Sequence, residues 1–209
     1  MRKKTEKGLT LIEVILGITI SVVILGILFS ALRLGHRSQE KGIEREEVSQ
    51  RMRILADRLT WLLSGAYPYK REVEEEERLY FSGTTRSAGF VTTSIDPYSE
   101  ELQDIAGLKW VTLFVDEAEG LKIREKIYFD EDVFEDSGGR EYVFDPTVKD
   151  IEFEYLDINE ETGEEIWLSA WAEDKDYLPY AVKASLVFIY KEKEVYMPPV
   201  VVLLRAGGQ

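Results

Sequence analysis

Cysteine is absent from this chain of 209 residues, and histidine occurs once, at His36. Without cysteine there is neither a thiol nucleophile nor a disulfide, so a folded domain here rests on its apolar core even in a compartment that permits bridges. His36 follows a long apolar run, a place for headgroup or solvent contact rather than for a general base. No Gly-x-Ser-x-Gly elbow and no Gly-x4-Gly-Lys-Ser/Thr phosphate loop is present. Basic residues are in deficit, 26 Lys plus Arg against 40 Asp plus Glu, giving a formal net charge of −14. A surface of that sign repels phosphates, which argues against nucleic acid as a partner. The acidic cluster from Asp130 to Asp136 lacks the glycine an EF-hand needs at its sixth position, and in Asp157-x-Asn159-x-Glu161 the glycine, Gly163, comes one place late. These clusters and the run 74–77 read as solvated charge, with no metal and no cofactor implied. Nothing in this inventory assembles a catalytic centre, so an enzyme is not expected.

What the chain does have is one long hydrophobic run. Val14 to Leu32 contains no charge, and about 20 apolar residues suffice for a helix to cross the hydrocarbon core. Arg2, Lys3, Lys4 and Lys7 precede it. The positive-inside bias therefore keeps this stub in the cytoplasm and sends the C-terminal part across the membrane. Ser30-Ala31-Leu32 makes a poor signal-peptidase site, and the run is longer than the h-region of about 7–15 residues in a secretory signal. A signal anchor that is never cut is the plain reading.

The junction carries a sharper one. Lys7-Gly8-Leu9-Thr10-Leu11-Ile12-Glu13 resembles the processing and assembly signal of type IV pilins and type II secretion pseudopilins. Gly8, Leu9 and Glu13 supply the glycine, the apolar first residue and the fifth-position glutamate of that signal; Leu9 stands where phenylalanine is more usual. The resemblance implies that a prepilin peptidase cuts between Gly8 and Leu9, N-methylates Leu9 and leaves the apolar segment in the mature chain. Glycine suits a scissile position because it has no side chain to obstruct entry into a protease cleft. Cleavage would remove four basic residues and one acidic residue, taking the formal charge to −17.

Glu13 demands a reason of its own, since a carboxylate within a membrane costs about 2.5–3.5 kcal/mol on insertion scales. Leu9 and Gly17, four residues away on either side, offer no countercharge, so an isolated helix is expected to leave it without a partner. The resemblance implies one, the new amine of a neighbouring subunit, which makes Glu13 the residue of subunit assembly. Snorkelling toward the cytoplasmic headgroups is the alternative. The agreement in register between cleavage signal and carboxylate favours pairing.

Past the membrane, no proline interrupts the stretch from His36 to Arg58. Val48, Met52, Leu55, Leu59 and Leu62 recur at spacings of four and three, drawing an apolar stripe on which a sheet can pack. A coiled-coil partner is the lesser reading, because the stripe covers barely two heptads. The helix is expected to end near Ser64-Gly65, ahead of Pro68. From Leu9 it would form a rod of roughly 80 Å at about 1.5 Å per residue. Beyond Tyr80, runs rich in Val, Ile, Phe, Tyr and Trp predict strands at 110–115, 121–129, 148–156, 165–171, 181–190 and 195–204. In 148–155, strict alternation puts Ile151, Phe153 and Tyr155 on one face and Asp150, Glu152 and Glu154 on the other. Loops are expected at 157–163 and 191–194, and Pro198-Pro199 argues for an edge strand or a break. The fold class that follows is α+β. In pilin-like terms it is a lollipop whose long N-terminal helix packs on an antiparallel β-sheet domain, with a leader at 1–8, a transmembrane helix at 9–34, the second half of that helix at 35–64 and a β-rich domain at 65–209.

Phe153-Glu-Tyr-Leu-Asp157, Trp167, Trp171 and Leu178-Pro179-Tyr180-Ala181-Val182 together resemble the pattern of the minor pseudopilin J family of type II secretion systems. That resemblance implies a single-pass inner-membrane protein with its domain in the periplasm. Its expected partners are minor pseudopilins I and K in a tip complex, with minor pseudopilin H joining it to the major pseudopilin G. Such a tip primes a pseudopilus whose growth exports folded proteins across the outer membrane. The K subunit characteristically lacks the fifth-position glutamate, so Glu13 sets this chain below the extreme tip. A minor type IV pilin, in adhesion, twitching or DNA uptake, would share the segment from Gly8 to Glu13, as would a Gram-positive competence pseudopilin. A membrane-anchored enzyme or sensor would share the anchor alone.

Overall fold

The structure is a computed structural model and describes residues 10–73, 76–93, 107–127, 131–134, 138–159, 162–172 and 175–208. It divides into two units, Met1–Gln50 and Arg51–Gln209. One helix, α1 (Leu11–Ser64, 54 residues), runs through the described part of the first unit and continues into the second. It holds no proline to remove a backbone donor. Two polar side chains in its apolar run are satisfied internally: Thr19 Oγ1 donates to Ile15 O at 2.8 Å and Ser30 Oγ to Gly26 O at 2.9 Å.

In the second unit α1 buries Leu55, Leu59, Leu62 and also Leu63, with Met52 of the expected stripe half-buried; Val48, in the first unit, is half-buried as well. Burying leucines of that size stabilises by about 1.5–3 kcal/mol each. The helix ends at Ser64, where the sequence places its stop. Strands follow as β1 (Ala66–Tyr67), β2 (Lys70–Val73), β3 (Glu76–Leu79), β4 (Phe81–Gly83), β5 (Ser87–Thr92), β6 (Lys109–Asp116), β7 (Gly120–Lys126), β8 (Arg140–Asp145), β9 (Val148–Ile158), β10 (Glu165–Leu168), β11 (Ala181–Tyr190), β12 (Lys193–Tyr196) and β13 (Val200–Leu203). The first sheet runs β1-β5-β6-β7-β8, with β4 also on β5; the second runs β10-β9-β11-β12, with β13 also on β11; β2 and β3 form a hairpin. All these pairings are antiparallel. The α+β class is thus observed: a long N-terminal helix and an antiparallel β domain.

The two sheets meet around β9. Ile151, Phe153 and Tyr155 are buried there and Glu152 is exposed, as the alternation predicts. Phe153 N donates to Thr85 O at 2.8 Å, and Tyr155 OH donates toward Thr84 O (2.9 Å) and Ser87 O (3.0 Å), tying the second sheet to the β4–β5 turn of the first. A second buried cluster, Tyr80, Val91, Trp110 and Val133, is flanked by Tyr69, Leu108 and Phe134.

The run 195–204 breaks at Pro198-Pro199 as expected, into two strands, because the prolines supply no backbone donors to continue a ladder. Two expectations need correction. The expected strand 165–171 stops at Leu168, and Trp171 instead bridges to Gly83. The loop expected at 191–194 is a two-residue turn, Lys191-Glu192, with both φ values positive at 46° and 65°, the geometry that lets tight hairpin turns match strand twist.

Candidate functional site

The head of α1 begins with a reciprocal cap. Thr10 N donates to Glu13 Oε2 at 2.9 Å, Thr10 Oγ1 donates to the same oxygen at 3.0 Å, and Glu13 N approaches Thr10 Oγ1 at 3.4 Å. This is a capping box: a threonine at the N-cap and a glutamate three residues on satisfy each other's otherwise orphaned donors. The helix dipole adds to it, since negative charge is favoured in the first turn. The expectation that an isolated helix leaves Glu13 without a partner is therefore corrected. A search for countercharges four residues away passes over Thr10, although Thr-x-x-Glu is itself a sequence signature of a helix start. Gly8 and Leu9, the expected cleavage and methylation residues, lie outside the described residues.

Behind Glu13 the helix is long and apolar enough to cross a membrane. Its large side chains between Leu11 and Leu34 are exposed, among them Ile18, Val22, Leu25 and Phe29. Exposed aliphatic surface of that length is stable in lipid and unstable in water. His36 is also exposed, just beyond it.

The β domain contributes a different cluster. Asp157, at the end of β9, accepts from Tyr177 OH at 3.0 Å and forms an ion pair with Lys175, whose Nζ lies 3.2 Å from Tyr177 OH and 4.3 Å from the Trp171 ring centroid. Trp171 Nε1 donates to Tyr177 O at 3.1 Å. Burial pushes the Asp157 carboxyl up, but the hydrogen bonds from Lys175 and Tyr177 outweigh it and hold the group below its ordinary range. Acid, amine and phenol are all engaged with one another and with Trp171, an arrangement that clamps the segment after β10 onto β9 rather than presenting a reactive group. Sequence reasoning singled out Asp157 and Trp171 as family-like positions and missed Lys175 and Tyr177, which no local motif marks.

Among the described residues, no group of three or more His, Cys, Asp or Glu is placed to hold a metal ion. The acidic cluster from Asp130 to Asp136 lies partly outside the described residues. At the head of α1 a carboxylate, Glu13, stands at the start of an exposed apolar helix. No protein-family model matches the chain, and no curated protein matches it.

Proposed function

We propose that this chain is a filament-assembly subunit, a minor pseudopilin of a type II protein secretion system. The observation that carries the reading is the register at the head of α1. Glu13 occupies the third position of an apolar helix, and a glycine, Gly8, stands five residues before it with an apolar residue next. A carboxylate at that depth is retained against its insertion cost when it has a task, and meeting the N-terminal amine of a neighbouring subunit supplies one. The antiparallel β domain around the last turns of α1 supports the pilin-like form of the reading. So does the way the family-like residues serve the domain: Tyr155 and Trp171 are buried together, Leu178 is buried in a bridge to Gly207, and Ala181 starts the central strand of the second sheet.

In this proposal a prepilin peptidase cuts between Gly8 and Leu9 and methylates Leu9, and the chain stays in the inner membrane with its domain in the periplasm. It joins minor pseudopilins I and K in a tip complex, with minor pseudopilin H and major pseudopilin G beneath. The test is the mass of the N-terminal peptide of full-length protein recovered from its native membranes. A peptide beginning at N-methylated Leu9, recovered together with secretion pseudopilins, is the expected result. An intact residue 1–8 segment would overturn the reading, and recovery within a long surface pilus would replace it with a minor type IV pilin.

A further inference from the structure

The second sheet ends on one side in two short strands laid end to end, β12 and β13, both paired with the same side of β11. Two hydrogen bonds fix the phase of these pairings: Met197 N to Leu186 O at 2.9 Å and Leu204 N to Tyr180 O at 3.0 Å. Bonding direction alternates along an antiparallel ladder. Val200 and Val202 therefore face β11 with their backbone groups, while those of Val201 and Leu203 point away from the sheet. Among the described residues no strand pairs with that outer side.

The side chains at this edge share one face. Tyr196, Val201 and Leu203 stand opposite Val187, Lys183 and Ala181 and are 74, 52 and 73% exposed. Edge strands are ordinarily blunted by charge, proline or a bulge. Pro198 and Pro199 block the gap between β12 and β13, but β13 itself reads Val-Val-Val-Leu, with neither charge nor proline. An apolar row leads to it across the sheet. Trp167 pairs with Leu156, Leu156 with Ala181 and Ala181 with Leu203, so the row spans β10, β9, β11 and β13 and stops at its most exposed member. At its far end Lys183 Nζ lies over the Trp167 ring at 4.5 Å and pairs with Glu154 at 2.6 Å.

We propose that β13 is a strand-addition site, on which an extended segment of a different subunit pairs with the backbone of Val201 and Leu203 and lays an apolar residue beside Leu203. Only an extended backbone matches donors and acceptors that alternate with the strand period. A second copy of this chain is a poor occupant. Each copy carries a formal net charge of −14, and pairing two β13 edges would join outer faces that hold Asp150, Glu152, Glu154, Glu165 and Glu194 against Arg86, Lys149 and Lys183. The segment that fits is apolar at alternate positions and neutral or basic at its flanks. The inference rests on the assembly reading for the kind of partner, another membrane-anchored subunit.

The test is photo-crosslinking of the full-length protein in its native membranes, with a photoreactive residue at Leu203 and, as control, at Ala118 in the β6–β7 turn. The crosslinked peptide is sequenced by mass spectrometry, and the N-terminus at Leu9 is read in the same sample, so that failure of the assembly reading shows separately. The expected product joins position 203 to an extended segment of a different membrane-anchored subunit. It should fall about tenfold in Val201→Pro, which removes an outward N–H while leaving the β11 ladder whole. Should that variant fail to fold, Val201→Lys, a charge on the open edge, serves in its place. Crosslinks to a second copy, to lipid or to a soluble passenger protein, a yield no greater than at Ala118, or a product that Val201→Pro in folded form leaves unchanged would each overturn the proposal.

Discussion

Arg51 Nη2 lies 3.1 and 3.2 Å from the two carboxylate oxygens of Asp145, fastening α1 to the end of β8. The same guanidinium sits 5.9 Å from the ring centroid of Phe188 on β11, so one side chain touches both sheets. Asp145 is the more committed partner, 11% exposed against 34% for Arg51, and it also accepts from Thr147 N at 2.8 Å and Thr147 Oγ1 at 2.6 Å.

From that asymmetry, Asp145→Ala should destabilise the domain by about 2–3 kcal/mol, since it strands three donors. Arg51→Ala should cost about 1 kcal/mol, because the partly exposed pair is screened and Thr147 still serves the carboxylate. Chemical denaturation of the full chain in detergent measures both. Equal losses would show that the Thr147 bonds contribute nothing.

Lys109 on β6 and Glu125 on β7 form an ion pair whose side chains are 2 and 1% exposed, and beyond it neither Glu125 oxygen has a hydrogen-bond partner. Removing one partner leaves a buried charge uncompensated, so Lys109→Met and Glu125→Leu should each cost about 3–5 kcal/mol. The double variant should recover wild-type stability or exceed it, by up to about 4 kcal/mol, since two desolvation penalties vanish with the pair. Additive losses in the double variant would contradict this account.

Asp157 gives the domain an acid-sensitive contribution. A carboxyl held low by folding stabilises fully above its unfolded value, about 3.9 for aspartate, and loses that contribution as the pH falls through its folded value. Asp157→Asn should be less stable than wild type by about 1 kcal/mol at neutral pH, and the difference should vanish at pH well below the aspartate range. Denaturation curves at the two pH values decide it. A gap that persists in acid would mean the loss is packing rather than charge.

Under the assembly proposal, two variants separate the cap from the pairing role at the head of α1. Thr10→Val removes the hydroxyl and should weaken the helix start by about 1 kcal/mol, with assembly retained. Glu13→Leu removes both cap and countercharge and should abolish incorporation into filaments, read by co-purification of neighbouring subunits. Assembly of Glu13→Leu at wild-type level would defeat the pairing role.

How far the fold is legible in sequence varies with what holds each part. Strand β11 is found end to end because Val182, Ala184, Leu186 and Phe188 alternate over ten residues with turn residues beyond. The α1 stripe and stop are equally plain, as leucines at helical spacing and Ser64-Gly65 dictate them. Strands β4 and β5 are not, because Ser82, Gly83, Ser87, Ala88 and Gly89 have little strand propensity. Their glycines are there for aromatic rings: a Cβ on Gly83 would sit 2.6 Å from the Tyr155 ring, and one on Gly89 would sit 2.4 Å from that of Trp110. Such contacts join residues far apart in the chain and leave no local trace. The turn after β11 is found in place, but its two-residue form at Lys191-Glu192 escapes for a related reason, lacking the Asn-Gly or Asp-Gly that normally marks positive φ in a hairpin. At the candidate site, the carboxylate and its register are legible, whereas the Thr10 bond is legible only to a search for caps.

The way α1 enters the domain also determines how the domain bears load. Tension along the last turns of α1 passes at Gly65 into β1, whose pairs Ala66↔Thr92 and Tyr67↔Val91, with the Thr92 Oγ1 bond to Gly65 O at 3.0 Å, deliver it to β5. Arg51 and Arg58, the latter donating to Phe144 O at 2.7 Å, deliver a share to β8. In the order β1-β5-β6-β7-β8 those are the two sides of one sheet. The last turns of α1 are therefore tied to both flanks of one sheet, so a pull along them is divided between β5 and β8 instead of resting on the two-residue strand β1 alone.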